Sequence, residues 1–264
     1  MKSAALLAAA ALLAACTTTT VTTSNTGSSV DLRTASDQTD ADRRAHARLD
    51  LSSLYYSRGQ YQIALDEVKQ ALAARPDMAE AHNLRGLIYG AMNEPQLAEE
   101  AFQRSLQIAP RSGDTLHNHA WFLCQQQQYA QAQAQFERAI AVPTYRDVPR
   151  SLLALGVCQA RAGQMAEAER SLLRSYELDP NNPTTAYNLS DLLFRRGDYE
   201  RARFHIRRLN QQTELSNAQT LWLAARIENK LGNRNGAADW GTQLRNRFPH
   251  SREALAFAAG RYDE

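Results

Sequence analysis

The sequence predicts an all-α protein, a right-handed α-solenoid of six helical hairpins closed by a further helix. Three observations carry that prediction. The first is a period: Tyr55 and Tyr89, Ala64, Ala98 and Ala132, and Pro76 and Pro110 each recur every 34 residues, and self-similarity at such a spacing marks stacked supersecondary units. The second is texture, because from about Ala41 onward Ala, Leu, Gln, Glu and Arg dominate at helical spacing without the alternation of strands. The third is punctuation, with Gly or a polar residue in the middle of each unit and Pro near the end of most.

Residues 1–15 read as an export signal. Lys2 supplies the positive start, Ala4 to Ala15 an apolar stretch too short to span a bilayer, and small residues precede Cys16. Residues 16–40 follow as a lipidated cysteine and polar tether, whose Thr- and Ser-rich run cannot bury enough apolar surface to offset the entropy of ordering it. Residues 41–264 form the repeat domain, with units at about 45–78, 79–112, 113–146, 149–182, 183–216 and 218–251 and a cap at 252–264.

The copies "YYSRGQYQIALDEVKQALAARP" and "YGAMNEPQLAEEAFQRSLQIAP" are in register, and "QQQQYAQAQAQFERAIAVP" continues the series. Ala132 to Ala168 is 36 residues, which places a two-residue insertion near Tyr145 to Val148. The fifth unit carries Gly197, Tyr199 and Ala202; the sixth, more degenerate, carries Gly232, Ala237 and Pro249. Small residues such as Gly86, Gly156, Ala64 and Ala168 allow the two helices of a hairpin to approach closely. Each hairpin buries its apolar face only against its neighbours, so the stack leaves a concave surface lined by the first helices. Ser251 is the expected N-cap of the closing helix.

Composition excludes several functions. Lys and Arg number 30 against 28 Asp and Glu, a balance that lacks the basic stripe of a nucleic-acid binder. The basic cluster Arg195, Arg196, Arg201, Arg203, Arg207 and Arg208 spreads around a helix and reads as a solvated face. No phosphate-cradling glycine loop, serine elbow or paired metal motif occurs, so no catalytic residue, metal, cofactor or small-molecule substrate is expected. His117 and His119 point about 200° apart on a helix and cannot share one ion; packing or groove lining is their expected role. Gln125 to Gln128 falls at a helix end and turn. Cys124 and Cys158 lie on first helices of adjacent units, where either a disulfide in an oxidising compartment or two buried thiols is compatible with the sequence.

The repeat register also nominates a binding surface. The second, fifth, ninth and twelfth positions of each first helix face the concave side, which selects Tyr56, Asn83, Leu87, His117, Trp121, Cys124, Leu153, Val157, Tyr187, Phe194 and Trp222. This set is apolar and aromatic rather than cationic, and suits an amphipathic helix or an extended apolar segment.

The 34-residue units resemble the tetratricopeptide repeat over about residues 45–251. Ser52, Arg85 and Ala120 depart from the residues usual at their repeat positions. Leu13-Ala14-Ala15-Cys16 is similar to the bacterial lipobox, which implies acylation of Cys16, and Thr17 after it implies sorting to the outer membrane. Lipobox, tether, six repeats, the insertion and a closing helix together resemble the PilF/PilW family of type IV pilus biogenesis lipoproteins. Family-like stretches include "LHNHAWFLCQQQQYAQA" and "VPTYRDVPRSLLALGVCQARAGQ". The resemblance implies a non-enzymatic, periplasm-facing scaffold whose partners are the membrane, through the lipid anchor, and the outer-membrane secretin of the type IV pilus. It would promote secretin localisation and multimerisation. The alternative it leaves open is an adaptor lipoprotein of another envelope system, a tight-adherence pilus or cell-wall synthesis.

Overall fold

The computed structural model describes residues 39–263. The expected signal segment, Cys16 and most of the tether lie outside them. Six antiparallel hairpins follow one another: α1 (Asp40–Ser57) with α2 (Tyr61–Ala74), α3 (Ala79–Ala91) with α4 (Pro95–Ile108), α5 (Gly113–Gln125) with α6 (Tyr129–Ile140), α7 (Val148–Arg161) with α8 (Met165–Leu178), α9 (Pro183–Arg195) with α10 (Tyr199–Asn210), and α11 (Ala218–Lys230) with α12 (Arg234–Arg247). A short helix, α13 (Arg252–Ala258), closes the stack, and no strand occurs among the described residues.

The small residues of the period sit where the helices of a hairpin cross. Ala64, Ala98, Ala132, Ala168 and Ala202 are fully buried. A Cβ on Gly86 would stand 2.8 Å from the Phe102 ring, and one on Gly156 2.7 Å from Leu172, distances that admit only glycine without displacement. The mid-hairpin turn needs a left-handed residue. Gly59, Gly163, Gly197 and Gly232 supply it in four hairpins, whereas Asn93 and Gln127 adopt φ of 60° in the second and third.

Buried polar contacts tie helices together both within and between hairpins. Ser105 donates to the Ala79 carbonyl at 2.8 Å and meets Thr115 at 3.0 Å; two repeats on, Ser175 donates to the Pro149 carbonyl at 2.8 Å and meets Thr185 at 3.1 Å. Ser52, unusual at its position, is buried and donates to the Ala64 carbonyl at 2.7 Å. Such satisfied groups avoid the cost of burying a lone hydroxyl. The Arg cluster is partly neutralised across the repeat boundary, since Arg196 and Arg201 both reach Glu169 on α8.

The concave side follows from which helices touch. Each odd-numbered helix of a hairpin packs on the next (α3 on α5, α5 on α7, α7 on α9, α9 on α11, α11 on α13), while consecutive second helices of the hairpins do not meet. The second helices splay apart on the outside and the first helices line the inside.

The two-residue insertion has a defined packing role. Tyr145 turns back so that its ring covers Gly113, where any Cβ would overlap it. Its hydroxyl lies 2.9 Å from Ser151 Oγ.

Candidate binding groove

The first helices bring the fifth- and ninth-position residues into one stripe. Asn83, Leu87, Trp121, Leu153, Val157 and Tyr187 are all half-buried, with part of each side chain open to solvent. Neighbouring repeats are coupled along the stripe: Asn118 Nδ2 donates to Asn83 Oδ1 at 3.2 Å, and the Arg161 guanidinium lies 5.1 Å from the centre of the Trp121 ring, within range of a cation–π attraction. Between α7 and α9 a cleft of about 240 Å³ is lined by Val157, Arg161, Asn188, Asp191 and Arg195. Burial, then the nearby Asp191 carboxylate, push the Tyr187 hydroxyl above its ordinary pKa, so it stays a neutral donor.

Four of the sequence-nominated residues are not open groove positions. His117 is buried; its Nδ1 lies 2.8 Å from Ser151 Oγ and its ring meets Phe136 edge-on at 5.6 Å. Ser151, also held by the inserted Tyr145, ties this histidine into the core between repeats three and four. Desolvation, with a smaller contribution from Arg150, lowers its pKa to about 4, which keeps it neutral. Cys124 at the twelfth position is buried and joined to Cys158 by a disulfide, with 5.9 Å between the Cα atoms. Phe194, at the same position of repeat five, is buried under the Arg226 guanidinium at 4.7 Å. The twelfth position therefore faces the next first helix rather than solvent. Tyr56, also twelfth, is half-buried and packs on Tyr61 at 5.7 Å within the first hairpin's core.

Trp222 occupies its expected place in the stripe but is covered. The chain turns at Gly260 (φ 67°) after α13, and the Tyr262 ring stacks on Trp222 at 5.3 Å. Arg226 Nε donates to the Tyr262 carbonyl at 2.9 Å, and Lys230 Nζ pairs with Asp263 Oδ1 at 2.6 Å.

Cations also edge this face. Thirteenth positions carry Arg161, Arg195 and Lys230, and the ninth position of the sixth repeat carries Arg226. The ninth position already gives Arg226, and extending the same period by one helical turn gives the other three. The groove of repeats four to six is thus an apolar stripe edged with positive charge, against the expectation of a purely apolar and aromatic surface. His119 lies apart from it, 2.8 Å from Glu99 and stacked on Phe102 at 5.4 Å. His117 and His119 therefore serve opposite sides of α5.

Comparison with known proteins agrees with this geometry. Tetratricopeptide-repeat family profiles match residues 49–113 and 119–183, and a second such profile matches 159–227. The type IV pilus assembly protein PilF of Pseudomonas aeruginosa is 30% identical over 234 residues, 89% of this chain and 91% of that protein. The chain belongs to the PilF/PilW family of tetratricopeptide-repeat proteins. Among solved structures, Pseudomonas aeruginosa PilF superposes with a TM-score of 0.72 at 28% identity, covering 84% of this chain and all of that one. PilW, described as a widely conserved type IV pilus biogenesis factor, superposes with a TM-score of 0.73 at 29% identity, covering 81% of this chain and 98% of that one. YrrB, a TPR protein with an unusual peptide-binding site, shares the fold at 17% identity with a TM-score of 0.58 over 73% of this chain and 97% of its own. PilF/PilW membership places the chain in type IV pilus biogenesis.

Proposed function

We propose that the protein is a non-enzymatic outer-membrane lipoprotein that binds secretin subunits and promotes their localisation and assembly into multimers for the type IV pilus. The observation that carries this reading is the match to PilF along nearly the whole of both chains, together with a continuous inner face fit for a peptide segment. A solenoid of this kind acts by presenting an extended surface rather than by bond-making chemistry. In the same reading Cys16 carries the lipid, and two or more acyl chains hold a protein stably at a bilayer where one does not.

The test is deletion in a piliated host, followed by separation of membranes and detection of secretin multimers without boiling. Multimers are expected to fall sharply and monomers to accumulate, with rescue by the unaltered chain and not by Cys16→Ser, which folds but is misplaced. Normal multimers in the deletion strain would overturn the proposal.

A further inference from the structure

The segment after α13 lies on the concave stripe of the sixth repeat, and the contacts it makes there are those a bound peptide would make. The fifth-position Trp222 stacks on an aromatic side chain, the ninth-position Arg226 donates to a main-chain carbonyl, and the thirteenth-position Lys230 takes the carboxylate that follows. Stacking, main-chain hydrogen bonding and charge pairing together are how extended segments are held.

The preceding repeats keep the fifth-position apolar residue and the thirteenth-position cation, with a different residue at the ninth position. Repeat five has Tyr187, Asp191 and Arg195, and repeat four has Leu153, Val157 and Arg161. The apolar fifth-position residue is half-open in both, and the cleft between α7 and α9 lies between the two cations. Arg195 is 64% exposed and pairs with the half-buried Asp191 on its own helix at 2.7 Å, and its five-donor guanidinium has N–H groups left to take an external carboxylate. Asp191 at the ninth position offers an acceptor for a main-chain N–H where Arg226 offers a donor.

Resting on the reading of this face as the docking surface, we infer that repeats four to six take a partner segment in which an aromatic or aliphatic residue is followed directly by a carboxylate. Tyr262 and Asp263 hold the sixth-repeat position as an internal copy of that ligand. Packed helices stand about 8–10 Å apart and an extended chain rises about 3.3 Å per residue, so the pair recurs about every third residue.

The probe is a fluorescent peptide of Tyr-Asp-Ser triplets, compared with Tyr-Asn-Ser triplets, titrated with the full chain in detergent and read by anisotropy. The Asp peptide is expected to bind about tenfold more tightly than the Asn peptide, with the advantage shrinking as salt rises. Arg161→Glu with Arg195→Glu should abolish the preference. Because both arginines are exposed the fold should survive, and Arg161→Gln with Arg195→Gln provides a milder second pair. Tyr262→Ala with Asp263→Asn should tighten binding by freeing the sixth repeat. Equal affinities, no binding, or a preference that survives both arginine pairs would overturn the inference. If the charge-reversed chain still captured secretin in cells, this inference would fall and the secretin reading would stand. If the peptide bound as expected but the unaltered chain captured no secretin, the reverse would hold.

Discussion

Histidine is where a single residue most clearly sets a condition on this fold. His117 and His205 are both buried, and desolvation lowers each pKa to about 4, helped at His205 by Arg201 and Arg208. The ordinary value is 6.5. Above it both imidazoles are neutral in the folded and unfolded chain alike. Between 6.5 and about 4 the unfolded chain binds protons that the folded one refuses, so stability is present above that window and is lost as pH falls through it. A tenfold difference in proton affinity is worth about 1.4 kcal/mol, so the two residues together put on the order of a few kcal/mol at stake. The urea midpoint is therefore expected to drop steadily from pH 6.5 to pH 4. His205→Phe should flatten part of that slope, since the ring sits edge-on to Tyr176 at 4.7 Å and its Nδ1 has no hydrogen-bond partner among the described residues. A midpoint indifferent to pH across this range would contradict the buried-neutral assignment.

At the level of helices, the closing element tests how the stack ends. Ser251 caps α13 by accepting from the Ala254 N–H at 3.1 Å, a role readable from the sequence alone. What holds α13 against α12 was not readable: Phe257 seats directly on Gly241, where a Cβ would overlap its ring. Gly241→Ala is expected to cost about 1–3 kcal/mol and to loosen α13. The readout is faster amide exchange in residues 252–258. Unaltered exchange there would show that this contact does not secure the cap.

The same contrast explains the rest of the reading. The period of small residues and turn glycines was legible because each is demanded by a local steric fact, as at Gly86 or Gly197. Of the fifth- and ninth-position residues nominated, Asn83, Leu87, Trp121, Leu153, Val157 and Tyr187 are half-buried, while His117 and Trp222 are buried. His117 and Phe194 are closed off by residues of the following repeat, Ser151 at His117 and Arg226 at Phe194, which the register of a single helix does not show. The Tyr262 stack on Trp222 needed the chain reversal at Gly260, which the periodicity does not encode.

Across the whole molecule, stability in a solenoid is close to a sum over repeats and the interfaces between neighbours, so the weakest interface decides whether the stack unfolds as one unit. The boundary between repeats three and four departs from its neighbours. The two-residue insertion falls there, and the Ser–Thr pair that ties repeat two to three and four to five is replaced by the His117–Ser151–Tyr145 contact. The Cys124–Cys158 disulfide, with a sequence separation of 34, spans this same boundary between α5 and α7. On chain-entropy grounds a cross-link closing a loop of that length stabilises by about 3–4 kcal/mol, and here it falls on one of the five interfaces between repeats. The oxidised chain is therefore expected to unfold in a single transition. Cys124→Ser with Cys158→Ser is expected to split that transition, with repeats four to six separating from repeats one to three. Urea unfolding followed by tryptophan fluorescence in a Trp121→Phe background, which leaves Trp222 and Trp240 of repeat six as reporters, set beside far-ultraviolet dichroism of the whole chain, distinguishes the outcomes. Coincident curves in the double-serine variant would show that packing alone couples the two halves. Divergent curves would show that the groove of repeats four to six is held in register with the rest of the stack by the disulfide.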